Sequence, residues 1–176
     1  MYKYIGLLRG VNVGKQKQIK MEKLKEIMEA LGFTGVITYI RSGNVIFEAL
    51  DKDTKMVRDI LEEGINTALG YEVKVILRSV EEFQQILIKN PFSEDKATYI
   101  TFLEDKATKE NLEVVASYEK EDEKILIGDK EIYIYCPKGY GRAFYSNTFF
   151  EKKLKLSATT RNLNTVIKLI SLADEE

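Results

Sequence analysis

The residues of this chain best suited to chemistry are Arg9, Gly10, Asn12, Gly14, Lys15, Arg41, Arg142, Arg161 and Asn162. The first five lie in Arg9-Gly-Val-Asn-Val-Gly-Lys-Gln-Lys-Gln-Ile-Lys20, where Arg9, Lys15, Lys17 and Lys20 meet no acidic neighbour. Two glycines free the backbone there, and an amphipathic helix follows. A basic loop running into a helix N-terminus suits an anion, because unpaired N–H groups and the helix dipole both favour negative charge. A guanidinium adds a planar fork that grips two phosphate or carboxylate oxygens at once. The other reading of Gly10, Asn12 and Gly14 is that they turn the chain, Asn12 tolerating a left-handed conformation.

The spacing does not fit a standard nucleotide motif. Gly10-Val-Asn-Val-Gly14-Lys15 is one residue short of a P-loop, and Gln16 stands where the magnesium-binding Ser or Thr belongs. The G-x-G of a dinucleotide turn is missing, so no cofactor is expected. Arg41-Ser-Gly-Asn44 is first a tight turn, in which Gly43 and Asn44 serve the backbone. Arg41, at a strand end, is a long donor able to reach a neighbouring loop.

Lys138-Gly-Tyr-Gly-Arg142 reads either as a mobile basic loop that closes over a ligand or stacks on a base, or as a connection with solvated ends. Thr159-Thr-Arg-Asn162 is expected to open the last helix, with Thr160 as N-cap. Arg161 in a first turn would oppose the dipole by about 0.5 kcal/mol, so an acidic side chain or a bound anion is expected opposite it. The loop at Gly10, the segment Gly139–Arg142 and the segment Thr159–Asn162 are therefore expected to wall one composite site.

Composition narrows the chemistry. The 176 residues include no histidine, which removes Ser-His-Asp and Cys-His catalysis and His-ligated metals from this chain. Cys136 is alone, so no internal disulfide or thiolate cluster forms, and no metal site is expected. Any catalysis would fall to Lys, Tyr, Asp, Glu or Ser. The net charge of −1 does not announce a nucleic-acid binder. Charge is uneven, however: from Lys138 to Lys168 the only acid is Glu151, against Lys138, Arg142, Lys152, Lys153, Lys155, Arg161 and Lys168. No apolar run spans a bilayer and no leader opens the chain, so a cytoplasmic protein without a membrane partner is expected.

The elements that must position these residues read as α+β. A strand over Tyr4–Leu8 precedes a helix over Met21–Leu31, with Met21, Leu24, Ile27, Met28 and Leu31 on one face. Val36–Ile40 and Val45–Phe47 form a hairpin around Ser42-Gly43-Asn44. A helix over Asp53–Leu69 should bury Met56, Ile60, Leu61 and Ile65, and Val73–Leu77 closes a βαββαβ pattern. The second half predicts helices over Val80–Ile88 and Lys106–Ser117, a strand over Tyr99–Leu103, and a hairpin of Ile125–Ile127 with Ile132–Tyr135. It ends in helices over Thr148–Lys155 and Asn162–Leu172, the latter striped by Leu163, Val166, Ile167 and Ile170. The expected architecture is two docked ferredoxin-like (βαββαβ) subdomains, residues 1–78 and 79–176, the second with a helical C-terminal ending.

Five motifs in order carry a resemblance: Arg9-Gly-Val-Asn-Val-Gly, a helix ending in Leu31-Gly-Phe33, Tyr39-x-x-Ser-Gly-Asn-Val45, Gly139-Tyr-Gly-Arg142 and Thr159-Thr-Arg-Asn-x-Asn-Thr-Val166. Together they resemble the bacterial domain-of-unknown-function family numbered sixteen ninety-seven, across essentially the whole chain. The resemblance implies two ferredoxin-like subdomains and no assigned activity. Three positions depart from its pattern: Arg41 replaces a polar uncharged residue, Ala143 a hydroxyl residue, and Leu163 a frequent Trp.

Three functions follow as expectations. The first is a binding module for a small anionic ligand, such as a phosphorylated metabolite or nucleotide. The second is a nucleic-acid-binding protein using the basic C-terminal stretch. For RNA, Tyr4 could stack a base from the first strand, although Arg41–Phe47 lacks the aromatic pair such modules carry. The third is a metal-free transferase or hydrolase using Lys or Tyr.

Overall fold

The computed structural model describes residues 1–92 and 96–175. The fold is mixed α+β, with two four-stranded antiparallel sheets and, among the described residues, six α-helices. Its compact units are Met1–Gln84 with Lys168–Glu176, and Gln85–Ile167.

Unit 1 runs β1 (Tyr2–Leu8), α1 (Met21–Ala30), β2 (Thr34–Tyr39), β3 (Asn44–Ala49), α2 (Thr54–Leu69) and β4 (Val75–Ser79), with sheet order β2-β3-β1-β4. Alternation along the strands puts Tyr4 and Leu8, Val45 and Phe47, and Val75 and Leu77 into one core with both helices. The pairing Tyr4↔Phe47 and Gly6↔Val45 keeps those side chains on one face. From α1 come Leu24, Ile27 and Met28, as the apolar spacing predicts. From α2 come Val57, Leu61 and Ile65, whereas Met56 and Ile60 are exposed. The i, i+4, i+8 line through Val57 is the buried one, a correction of one residue to the expected face. Asp53 caps α2, its carboxylate accepting from the Lys55 and Met56 amides at 2.9 and 3.3 Å.

Tyr4 is 2% exposed, with its ring 5.9 Å from that of Phe47 and its hydroxyl donating to the Asp51 carbonyl at 3.1 Å. A ring in the core cannot stack on a base, so the RNA reading loses its first aromatic.

Unit 2 contains β5 (Thr98–Leu103), α4 (Lys109–Ala116), β6 (Lys124–Ile127), β7 (Glu131–Tyr135), a 3₁₀ turn (Tyr140–Arg142), α5 (Asn147–Leu154) and β8 (Ala158–Asn162). The sheet order is β6-β7-β5-β8. Leu103, Val115, Ile132, Ile134, Phe150 and Leu154 belong to its core. Two further helices cross the unit boundaries, α3 (Val80–Ile88) and α6 (Leu163–Asp174). The end of α6 lies in unit 1, where the Lys3 ammonium donates to the Ala173 carbonyl at 2.9 Å.

Residues 158–162 correct the expected helix start. They form β8, with Arg161 opposite Ile100 and Thr160 opposite Thr101. Thr159 and Thr160 are β-branched and suit a pleated strand better than a first turn. The helix begins at Leu163, and its cap is Asn162 rather than Thr160: the Asn162 amide oxygen accepts from the Thr165 N–H at 2.8 Å. Unit 2 therefore closes with a strand before its final helix. That helix buries Leu163, Val166, Leu169, Ile170 and Ala173 and leaves Ile167 exposed. Among the described residues no helix is long and apolar enough to cross a membrane.

Cys136 is buried in the unit 2 core, where desolvation, reinforced by the charge of Glu123, pushes its thiol up to about 11 from 9.0. Native protein at pH 8 should therefore resist Ellman's reagent and release one thiol per chain on unfolding. Because the folded pKa lies above the unfolded one, the thiol's contribution is full below pH 9. It is lost as pH rises toward 11, so stability should decline across that window. Rapid labelling of the native protein at pH 8 would contradict this.

Candidate functional site

The loop between β1 and α1 is fastened rather than free. At its start the Leu8 N–H donates to the Gly43 carbonyl at 2.8 Å and the Arg9 N–H to the Lys74 carbonyl at 2.9 Å. Gly10, Asn12, Gly14 and Lys17 all adopt left-handed conformations, which coil the segment tightly. Val11 and Ile19 are buried and anchor its two arms. Lys17 donates to the Glu72 carbonyl at 2.7 Å, and Tyr71 donates to the Gln18 carbonyl at 2.9 Å.

Asn12 is the clasp. Its amide nitrogen donates to the Ile19 carbonyl at 2.9 Å and to the Arg41 carbonyl at 2.7 Å, and its amide oxygen accepts from the Ile19 N–H at 2.9 Å. The left-handed conformation expected of Asn12 is present, at φ 56°. One side chain thus closes the loop on itself and draws the β2–β3 turn against it. Gly43 makes that approach possible. A Cβ there would sit 2.6 Å from Val11 Cγ2 and 2.8 Å from Leu8 Cβ, in a backbone at φ +78°.

A cleft of about 610 Å³ results, lined by Asn12, Gln18, Ile19, Lys20, Met21, Glu22 and Arg41. It opens at the start of α1, whose N-cap residue Lys20 makes no side-chain cap. The first-turn N–H groups of a helix lack intrahelical partners. Arg41 is exposed, and Glu22 is the carboxylate in the lining. Of the residues nominated from sequence, Asn12 and Arg41 line this cleft. Gly10, Gly14 and Lys15 are exposed on the same loop and Arg9 is half-buried at its start. Gln18, Lys20 and Glu22 were not nominated. Nothing local marks them, because the cleft exists only once residues 29 apart, Asn12 and Arg41, are hydrogen-bonded.

The unit 2 candidates divide. Arg142 is exposed beside a cleft of about 230 Å³ that also takes in Lys138, Asp122 and Glu123. Lys138 is ion-paired with Asp122, and Glu123 accepts from the Phe144 and Tyr145 amides at 2.8 and 3.1 Å. The Tyr140 ring stacks on Tyr99 with centroids 4.9 Å apart, and its hydroxyl donates to Thr160 Oγ1 at 2.9 Å. Segment 138–145 is thus pinned at several points, and its aromatic ring is already occupied.

Arg161 is buried in β8, where its guanidinium donates to Thr159 Oγ1 at 2.7 Å and to the Thr160 carbonyl at 3.1 Å. Desolvation holds its pKa down to about 10, still high enough to keep the charge at neutral pH. Arg161 lies in a strand, so no helix dipole opposes its charge and none calls for an anion opposite it. The amide oxygen of Asn162 is engaged in capping α6.

Acid–base machinery is scarce. The lysines and tyrosines with displaced pKa values all move upward: Lys106 and Lys138 through carboxylate partners, Tyr4, Tyr71, Tyr133, Tyr140 and Tyr145 through desolvation. These shifts lead away from neutrality, the wrong direction for a nucleophilic lysine or a phenolate base. Among the described residues no cluster of three or more His, Cys, Asp or Glu side chains is placed to hold a metal.

The family model described as protein of unknown function (DUF1697) matches residues 1–133. Among solved structures, the conserved bacterial protein SP0830 from Streptococcus pneumoniae is similar at 26% identity and a TM-score of 0.77, over 98% of this chain and 99% of that one. No curated protein matches the sequence.

Proposed function

The chain belongs to the DUF1697 family of proteins of unknown function, and we propose that it is a binding module for a small anionic ligand, a phosphorylated metabolite or nucleotide, held in unit 1. The observation that carries this reading is the Asn12 clasp, which sets Arg41 beside the uncapped start of α1. A phosphate there meets helix N–H groups on one side and a guanidinium on the other. Lys20 adds charge at the rim, Lys15 and Arg9 add longer-range attraction, and Glu22 favours a ligand that also donates a hydrogen bond, such as a sugar hydroxyl. The reading rests on unit 1 by itself.

The same proposal takes each unit as a ferredoxin-like subdomain arisen by duplication in a cytoplasmic protein. Supporting it, β1α1β2β3α2β4 with sheet order β2-β3-β1-β4 parallels β5α4β6β7α5β8 with order β6-β7-β5-β8. Equivalent strands pair Ile5 with Arg78 and Ile100 with Arg161. Each arginine precedes a helix cap, Ser79 accepting from the Glu82 N–H and Asn162 from the Thr165 N–H.

Thermal shift with inorganic phosphate, a nucleoside monophosphate and a sugar phosphate tests the binding reading. A ligand at a hundred times its Kd adds about 2.7 kcal/mol to stability. Arg41→Ala should abolish the shift and leave the unliganded melting point within about 1 °C, since an exposed side chain contributes little. No shift with any compound, or a shift unchanged in both Arg41→Ala and Lys15→Ala, would overturn it.

A further inference from the structure

Among the described residues, the non-glycine positions with a positive φ are Asn12, Lys17, Ile40 and Lys155. Of these, Ile40 alone is β-branched, and at φ 50° such a side chain is a true outlier. Its packing does not offset the strain, since the residue is 47% exposed. Nor does the hairpin demand it: the β6–β7 turn of unit 2, residues 128–130, contains no residue at positive φ. Strain of this kind persists only where the surroundings over-determine the backbone.

Hydrogen bonds on either side of Ile40 do this. Before it, the Tyr39 carbonyl accepts from Asn44 Nδ2 at 2.9 Å, and Asn44 is fully buried. After it, the Arg41 carbonyl accepts from Asn12 Nδ2 at 2.7 Å. At the far end of the turn the Gly43 carbonyl accepts from the N–H of Leu8, a core residue, at 2.8 Å. Tyr39 and Gly43 are thus tied to buried parts of the sheet. The Asn12–Arg41 bond is exposed, where water competes for both groups. The strained residue therefore adjoins the tie that solvent reaches most easily. Breaking that tie frees Ile40 to enter the extended region, and a change in its φ redirects the next residue. Arg41 then leaves the cleft wall that it and Asn12 form together.

We propose that the β2–β3 turn is a sprung latch: Asn12 holds it closed with Ile40 strained and Arg41 at the cleft, and release of the Asn12–Arg41 bond relaxes Ile40 and withdraws Arg41. An anion on Arg41 would favour the closed state, and only that consequence rests on the anion reading. The two states themselves need no ligand, so the test uses none.

Melting temperatures of variants of the whole chain test the latch. Ile40→Asn installs a side chain that tolerates the left-handed region and should raise the melting temperature by about 4 °C. Val13→Asn alters an exposed β-branched residue of ordinary φ and should bring no such gain. Asn12→Asp loses the amide donor to Arg41 and keeps the acceptor for the Ile19 N–H. It opens the latch and lets Ile40 relax, so Ile40→Asn should gain nothing in that background. A gain of equal size in both backgrounds, or none in the native one, overturns the proposal. Where Asn12→Asp does not fold, NMR relaxation dispersion on the native chain decides. The amides of residues 40–43 should exchange on the μs–ms scale, and Ile40→Asn should quench that exchange by favouring the closed state. Flat profiles in the native chain, or exchange unchanged by Ile40→Asn, overturn it as well.

Discussion

Gly43→Ala should destabilise unit 1 by about 2–5 kcal/mol, read as a lowered urea midpoint or melting temperature. Two costs add. A residue with a Cβ held at φ +78° loses about 1–2 kcal/mol relative to glycine. The new methyl would also stand 2.6 Å from Val11 Cγ2 and 2.8 Å from Leu8 Cβ. Neither neighbour yields easily, since Leu8 Cβ is fixed to the β1 backbone and Val11 is β-branched and buried. Overpacking of this kind costs about 1–3 kcal/mol. For a unit of this size each kcal/mol lowers the melting temperature by about 4–8 °C. Gly10→Ala is the control. Gly10 has a similar φ of +67°, but nothing lies within 4 Å of its would-be Cβ, so only the backbone cost applies. Equal stabilities for the two variants would show that the Leu8–Gly43–Val11 contact is not tight. Because Gly43 lets the turn approach the loop, Gly43→Ala should also lose whatever response to phosphate compounds the native protein has.

Phe150→Ala should cost unit 2 about 3–5 kcal/mol. The ring is fully buried, stacked on Tyr145 with centroids 6.1 Å apart and edge-on to Phe149 at 5.4 Å. Truncation removes its apolar contacts and leaves a void that Leu103, Ile132 and Leu154 of the same core cannot fill without shifting. Aromatic pair geometry adds about 0.5–1.5 kcal/mol beyond burial. Phe150→Leu keeps most of the volume and should lose less than half as much. A calorimetric scan distinguishes the two, and an alanine variant within about 1 kcal/mol of the native protein would mean that the cluster collapses into the space.

Particular residues carry the part of the site that is legible in the sequence. Asn12 was legible as a left-handed residue because Asn is among the few side chains that tolerate that conformation. Its contact with Arg41 was not, since no local rule couples positions 29 apart. Arg161 misled for a related reason. Thr-Thr-Arg-Asn before an apolar stripe matches a capped helix start, and Asn162 is indeed a cap. The three residues before it pair with β5 as the edge strand β8, an outcome that the β-branched Thr159 and Thr160 favour and that the capping pattern alone conceals. Met56 and Ile60 read as core positions because two adjacent apolar lines run along α2, and the core takes the one through Val57.

The sequence by itself determined the α+β class, nearly every strand and helix, the family, and the absence of histidine chemistry from this chain, all properties of residue type and short-range period. Tertiary structure alone decided that Arg161 is buried, that Tyr140 is already stacked, that Asn12 joins the loop to Arg41, and that residues 158–162 pair with β5. Those outcomes depend on which segments pair and which face is covered. They are fixed by contacts between residues far apart in the chain, where the free energy of packing overrides what any short stretch prefers.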